Sequence, residues 1–147
     1  MHYDVAVPDP VRVIVADSVG VAVDAAGEFV RVRGEDLRLV AQRANAARTE
    51  HPGRTVLVDI DVVVDDTAAG ARRQVADAGV SAAAGTLTYI GTPTGLAGLI
   101  ADIHALGLCD GAVLRPLLPG VAEVIRARVL PELDTMGLTA PRESWPA

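Results

Sequence analysis

Two hydrophobic periods alternate along the chain. Residues 11–16 (VRVIVA) form a β-branched run, and residues 18–26 are Ala/Val-rich with Gly27 as a stop. Residues 29–33 (FVRVR) alternate strictly and predict a strand. Behind Gly34, residues 35–50 repeat Leu37, Val40, Ala41 and Ala44 at helical spacing. Acidic residues open that segment, which suits the positive end of a helix dipole, and His51-Pro52-Gly53 ends it. Residues 56–64 (VLVDIDVVV) give the clearest strand pattern. Residues 67–78 read as a helix closed by Gly79. Residues 80–90 are ambiguous, with Ala82-Ala83-Ala84 able to extend a helix and residues 87–90 able to form a strand. Thr92 is placed to cap a helix with Pro93 in its first turn, striped by Leu96, Leu99, Ile100, Ile103 and Leu106 and ended by Gly107. A short strand follows at residues 112–114. A last helix carries Val121, Val124, Ile125, Val129, Leu133 and Met136, and Pro131 must kink or restart it, since proline removes a donor and crowds the preceding turn. From Thr139 onward the chain reads as a frayed tail.

Strands alternating with helices imply a parallel sheet with right-handed crossovers. Two architectures satisfy that pattern: a small doubly wound sheet, or part of a (β/α)₈ barrel. Periodicity does not separate them.

Composition narrows the function classes. The 147 residues suit one domain, half of them are hydrophobic, and the formal net charge is −6. All 13 basic residues are arginine. An acidic chain without lysine is poorly suited to wrapping a nucleic-acid backbone. Four aromatic residues (Tyr3, Phe29, Tyr89 and Trp145) make a poor base-stacking platform. The single Cys109 allows no internal disulfide and no multi-cysteine metal site. His2, His51 and His104 lack metal-ligand spacing, so no metal is expected. No basic, then apolar, leader opens the chain, and no apolar run approaches the ~18 residues of a spanning helix. The expectation is a soluble cytoplasmic protein with neither nucleic acid nor membrane as partner.

The C-terminal third carries a resemblance. Ile90-Gly91-Thr92-Pro93 before a helix, then Asp110-Gly111-Ala112-Val113-Leu114-Arg115-Pro116 and Leu118-Pro119, then Val129-Leu130-Pro131-Glu132-Leu133 and Gly137-Leu138, resemble the end of the luciferase-like flavin-dependent monooxygenases, in particular the nitrilotriacetate- and alkane-monooxygenase-like branch. Residues 11–20 and 28–33 are similar, more weakly, to earlier strands of that family. Ala112 replaces the family's usual aromatic, and its closing motif has become Met136-Gly137-Leu138-Thr139. The resemblance implies a half (β/α) barrel of TIM type, with four parallel strands and flanking helices over residues 1–138 and a tail at 139–147. A full barrel takes about 250 residues, so under this resemblance the family's first strands are expected to be missing from the 147 residues.

The resemblance also implies a flavin, FMN or the deazaflavin F420, and a small organic substrate to be oxygenated. The turn Ala16-Asp17-Ser18-Val19-Gly20 matches the one that contacts the flavin phosphate in that family. Its backbone N–H groups and the Ser18 hydroxyl suit an anion, and they equally suit an ordinary helix cap. Asp17, Ser18 and Val19 are therefore candidate cofactor contacts. Arg115 joins them because it ends a strand, at the face where barrel active sites gather; pairing with a neighbouring loop carboxylate is an equal expectation. No catalytic residue is identified. A non-catalytic half barrel is the alternative function. It would leave two strand edges and its lumen face open to water, which a second copy or a companion subunit would cover.

Two further patterns carry charge. Arg31 and Arg33 share one strand face and Asp59 and Asp61 share another, because side chains alternate with period two. If those strands are neighbours, the four charges pair across the sheet on the lumen side, while Val30, Val32, Val58 and Ile60 face helices. Asp59 and Asp61 also resemble the Asp-x-Asp box of haloacid-dehalogenase-type phosphotransferases, which usually need a lysine that this chain lacks. Asp65-Asp66 reads as a helix-start cap, and Cys109 as a buried, inert thiol.

Overall fold

The computed structural model describes residues 11–16, 29–81 and 84–138. The element order is β1 (Arg12–Val15), β2 (Phe29–Val32), α1 (Leu37–Glu50), β3 (Thr55–Val64), α2 (Ala68–Ala78), β4 (Leu87–Gly91), α3 (Pro93–Ala105), β5 (Gly111–Pro116), α4 (Val121–Val124), a π-helical turn over Ile125–Val129, and α5 (Leu130–Thr135). Residues 17–28 and 139–147, which include the Ser18 turn, the Ala/Val-rich stretch and the expected tail, lie outside the described residues, as does His2.

The five strands form one parallel sheet, one strand more than expected. The addition is β4, whose sequence left strand and helix open. It pairs with Ile60–Val64 of β3, and β2 pairs with Thr55–Val58 of the same strand. Because β5 occupies the other side of β3 along residues 57–62, β2 and β4 follow one another along a single edge. The near-continuous apolar character of β3 follows from this central place, buried on both faces. The first strand does not lie beside the second. β1 pairs with β5, Arg12 opposite Gly111 and Ile14 opposite Val113. It is tied down at both ends, the Arg12 N–H donating to Asp110 and the Ala16 N–H to Leu114. The Val11 N–H also donates to the carbonyl of Leu138.

The helices decide the architecture. Val40 and Ala44 of α1, Ala71 of α2, Leu96, Ile100 and Ile103 of α3, and Val121, Ile125, Val129 and Leu133 of the last helical run share one buried core. From the sheet, Val32, Val58, Ile60, Val62, Ala112 and Leu114 join the same core. A doubly wound sheet carries helices on both faces; here the described helices cover one face only, as in a barrel wall. Val30 packs against the same core, so the four residues expected to face helices do so.

Local chemistry sets the element ends. Asp36 caps α1 by accepting from the Leu39 N–H, and Thr92 caps α3 by accepting from Gly95, with Pro93 in the first turn as expected. α2 is capped by Thr67, not by the two aspartates before it. Asp65 instead accepts from the Gln74 side chain and from the Asp66 N–H, and those bonds lower its pKa. Gly79 ends α2 at φ 66°, where a side chain would be strained. Pro131 restarts the last helix through the π turn. The Leu130 N–H reaches back five residues to the Ile125 carbonyl, and the widened turn accommodates a ring that would otherwise crowd Ala127.

Candidate functional site

The face of the sheet turned away from the helices carries two layers. Toward the strand N-termini, Ile14, Phe29, Leu57 and Val113 form a separate small apolar cluster. One step toward the C-termini, the same alternation brings up Arg31 and Arg33 from β2 and its exit, Asp59 and Asp61 from β3, and Arg115 from β5. The register sets Asp61 directly opposite Arg115, while Asp59 lies one same-face step beyond Leu57, the partner of Arg31, and one before Asp61, so it meets Arg31 and Arg115 on diagonals.

Asp59 is the centre of the group. Its Oδ1 accepts from Arg31 Nε at 2.8 Å and its Oδ2 from Arg31 Nη2 at 3.0 Å, a bidentate pair. The same Oδ2 accepts from Arg33 Nε at 3.2 Å, and Arg115 Nη1 stands 3.7 Å from it. Arg115 Nε lies 3.4 Å from Asp61 Oδ1. The expected cross-strand pairing of Arg31 and Arg33 with the aspartates is present and converges on Asp59. Among the described residues, Arg115 pairs with the strand carboxylates of Asp59 and Asp61. Sequence reasoning kept Arg115 apart from the other charges because only the pairing of β3 with β5 joins them; the shared period-two phase of the two strands was the available signal.

The exposures differ in a telling way. Asp59 and Asp61 are at most 1% exposed, the Arg115 side chain 9%, Arg31 23% and Arg33 55%. The group therefore runs from a buried floor to a solvent-facing arm. Arg115 Nε and Nη1 are buried without a hydrogen-bond acceptor, since their carboxylate neighbours stand beyond good hydrogen-bonding distance. Among the described residues, the lumen face expected to stand open in half a barrel is open at Arg31 and Arg33 and closed elsewhere. Ile14, Leu57, Val113 and both aspartates are buried within the single chain. Among the described residues, the outer edges of β1, β2 and β4 do lack a strand neighbour.

Asp17, Ser18 and Val19 lie outside the described residues. Asp59 and Asp61 are engaged by arginines, and among the described residues no group of three His, Cys, Asp or Glu side chains could hold a metal. No helix among them is long and apolar enough to cross a membrane. Cys109 is buried just before β5, and burial pushes its thiol up to about 12 against the pull of Arg48. In the unfolded chain that thiol ionises near pH 9. Its contribution to stability is thus complete below about pH 9 and is lost as pH rises toward about 12. Unfolding titrations should show the native chain losing stability over that interval relative to Cys109→Ala; parallel curves would contradict the assignment.

Neither a protein-family model nor a curated protein matches the chain. Solved structures do. The chain is similar to an EDTA monooxygenase from Chelativorans sp. BNC1, with TM-score 0.59 and 19% identity over 79% of this chain and 43% of that one. It is similar to a long-chain alkane monooxygenase, with TM-score 0.59 and 17% identity over 80% and 38% of the two chains. It is similar also to a riboflavin lyase solved with modified FMN and riboflavin, with TM-score 0.62 and 17% identity over 77% and 40%. The fold is thus that of part of the barrel of the luciferase-like flavin monooxygenases. The chain spans about two fifths of the length of these structures.

Proposed function

We propose that residues 1–138 form a flavin-dependent oxidoreductase unit of the luciferase-like monooxygenase kind, with 139–147 as a tail, acting on a small organic substrate. The observation that carries this reading is the agreement of two independent likenesses, the strand and helix motifs of the C-terminal third and the shared fold. The donor set fits an anionic cofactor: Arg115 ends β5 with two buried, acceptor-free N–H positions. Arg115 and the turn at Asp17, Ser18 and Val19 would hold the flavin, FMN in preference to a deazaflavin. Reduced flavin, when bound, supplies the electrons that activate dioxygen for oxygenation. The chain's own part is to orient and to exclude water. The Asp59 cluster fixes the direction of the Arg115 guanidinium, and the apolar floor of Ile14, Phe29, Leu57 and Val113 keeps the strand N-termini dry.

The test is FMN titration of the purified chain, followed by flavin fluorescence. Saturable quenching is expected, and its absence at high micromolar FMN would overturn the reading. The unpaired strand edges favour a second reading, a non-catalytic half barrel that self-associates or completes a partner's barrel. Light scattering on the same sample separates the two. A dimer mass without flavin binding supports the second, and flavin binding by a monomer supports the first.

A further inference from the structure

We propose that β1 is a displaceable strap: docked on β5 it closes the flank of Arg115, and its release opens that residue to a ligand. For its ligand the strap depends on the flavin reading above; the closure itself is the chain's own packing. With β1 in place the Arg115 side chain is 9% exposed, and its Nε and Nη1 are buried beside Asp61 and Asp59. Strands on both sides of β5 produce that burial. On one side β3 sets Asp61 opposite Arg115. On the other, β1 pairs Ile14 with Val113 and Val15 with Leu114. One step further in the same register is Ala16, level with Arg115; it is buried, and its N–H donates to the Leu114 carbonyl. Side chains alternate with period two, so Ile14 and Ala16 take the face of Val113 and Arg115. Ile14 thus seals the apolar layer with Phe29, Leu57 and Val113, and Ala16 flanks the arginine.

Of these two walls only β1 can leave without dismantling the sheet. β3 is central, with β2 and β4 on the edge away from β5. β1 is four residues long and, among the described residues, has β5 as its one strand neighbour. Arg12 is exposed, Val13 and Val15 are only partly buried, and the strand's own buried anchor is Ile14. A further tie is the Val11 N–H, which donates to the Leu138 carbonyl. Release of β1 leaves β2, β3, β4 and β5 joined and the core beneath the described helices in place. An element held by so few neighbours opens at a lower free energy than the whole chain unfolds. A ligand that needs the open form then binds with an affinity scaled by the open fraction, which makes β1 an autoinhibitory contact.

The test begins without flavin, by native-state hydrogen exchange on the unmodified chain. The β1 amides that donate to β5 should exchange about tenfold faster than those of β3 or more, and equal protection in the two strands would overturn the proposal. Phenylglyoxal, which modifies accessible guanidinium groups, then reads Arg115 by peptide mass. Ile14→Ala removes the strap's buried anchor and should speed Arg115 modification about tenfold. Val40→Ala, which cuts the core under α1 away from β1, should leave the rate near that of the native chain. Equal acceleration by both variants would overturn the strap, because exposure would then follow general unfolding. FMN should bind Ile14→Ala more tightly than the native chain, and equal affinities would overturn the gating. Arg115 modification that rises in Ile14→Ala while neither chain binds FMN would uphold the strap and remove the flavin reading.

Discussion

Asp59→Asn is expected to cost about 3–5 kcal/mol of unfolding free energy, the loss typical of removing one partner from a buried ion pair. The substitution keeps the shape of the side chain and removes its charge, so the effect is electrostatic. Asp59 accepts from Arg31 through both oxygens and from Arg33 through one, with Arg115 beside it. Arg33 relaxes into water when released, whereas Arg31 and Arg115 stay mostly buried, now facing an amide that can present N–H donors to them. Urea unfolding should show a lower midpoint with an unchanged slope, and a thermal midpoint lower by roughly 10 °C. The double variant Arg31→Met/Asp59→Leu should recover part of the loss, because an apolar pair carries no desolvation penalty. A cost below about 1 kcal/mol for Asp59→Asn would mean that water screens the group as it does a surface pair.

Gly111→Ala has the second largest expected effect, and its sign runs against propensity. Alanine in place of glycine inside a strand ordinarily stabilises by reducing backbone entropy in the unfolded chain. At Gly111 an added Cβ would overlap the carbonyl oxygen of Arg12 and stand 2.6 Å from the carbon that bears it. Backbone cannot swing aside as a flexible side chain does, so β1 must move off β5. The expected cost is about 3 kcal/mol, at the upper end of overpacking. Hydrogen exchange should localise it, with amides of β1 losing protection first while those shared by β3 and β5 persist. A thermal midpoint at or above that of the native chain would show that β1 docks less closely than the structure has it.

Much of this was legible in the sequence. The caps at Thr92 and Gly79, the restart at Pro131, the helix-facing phase of Val30, Val32, Val58 and Ile60, and the pairing of Arg31 and Arg33 with an aspartate all follow from local rules. Such rules act over a few residues, where spacing alone says which face a side chain takes. The candidate site was half legible. Residues on β2 and β3 met as their shared phase suggested, because strands joined by one helix tend to be neighbours.

What the sequence by itself determined is therefore the elements other than β4, their faces and the charges that one face would carry. Tertiary structure alone decided how they are joined. β5 inserts between β1 and β3, which brings Arg115 to Asp59 and Asp61 and separates the first strand from the second. β4 becomes a strand because the far half of β3 offers an unfilled edge. The described helices gather on one face, which selects a barrel wall over a doubly wound sheet. The physical reason is common to all three. Which edge a strand takes depends on hydrogen bonds and packing between residues far apart in the chain, and no local period records that choice.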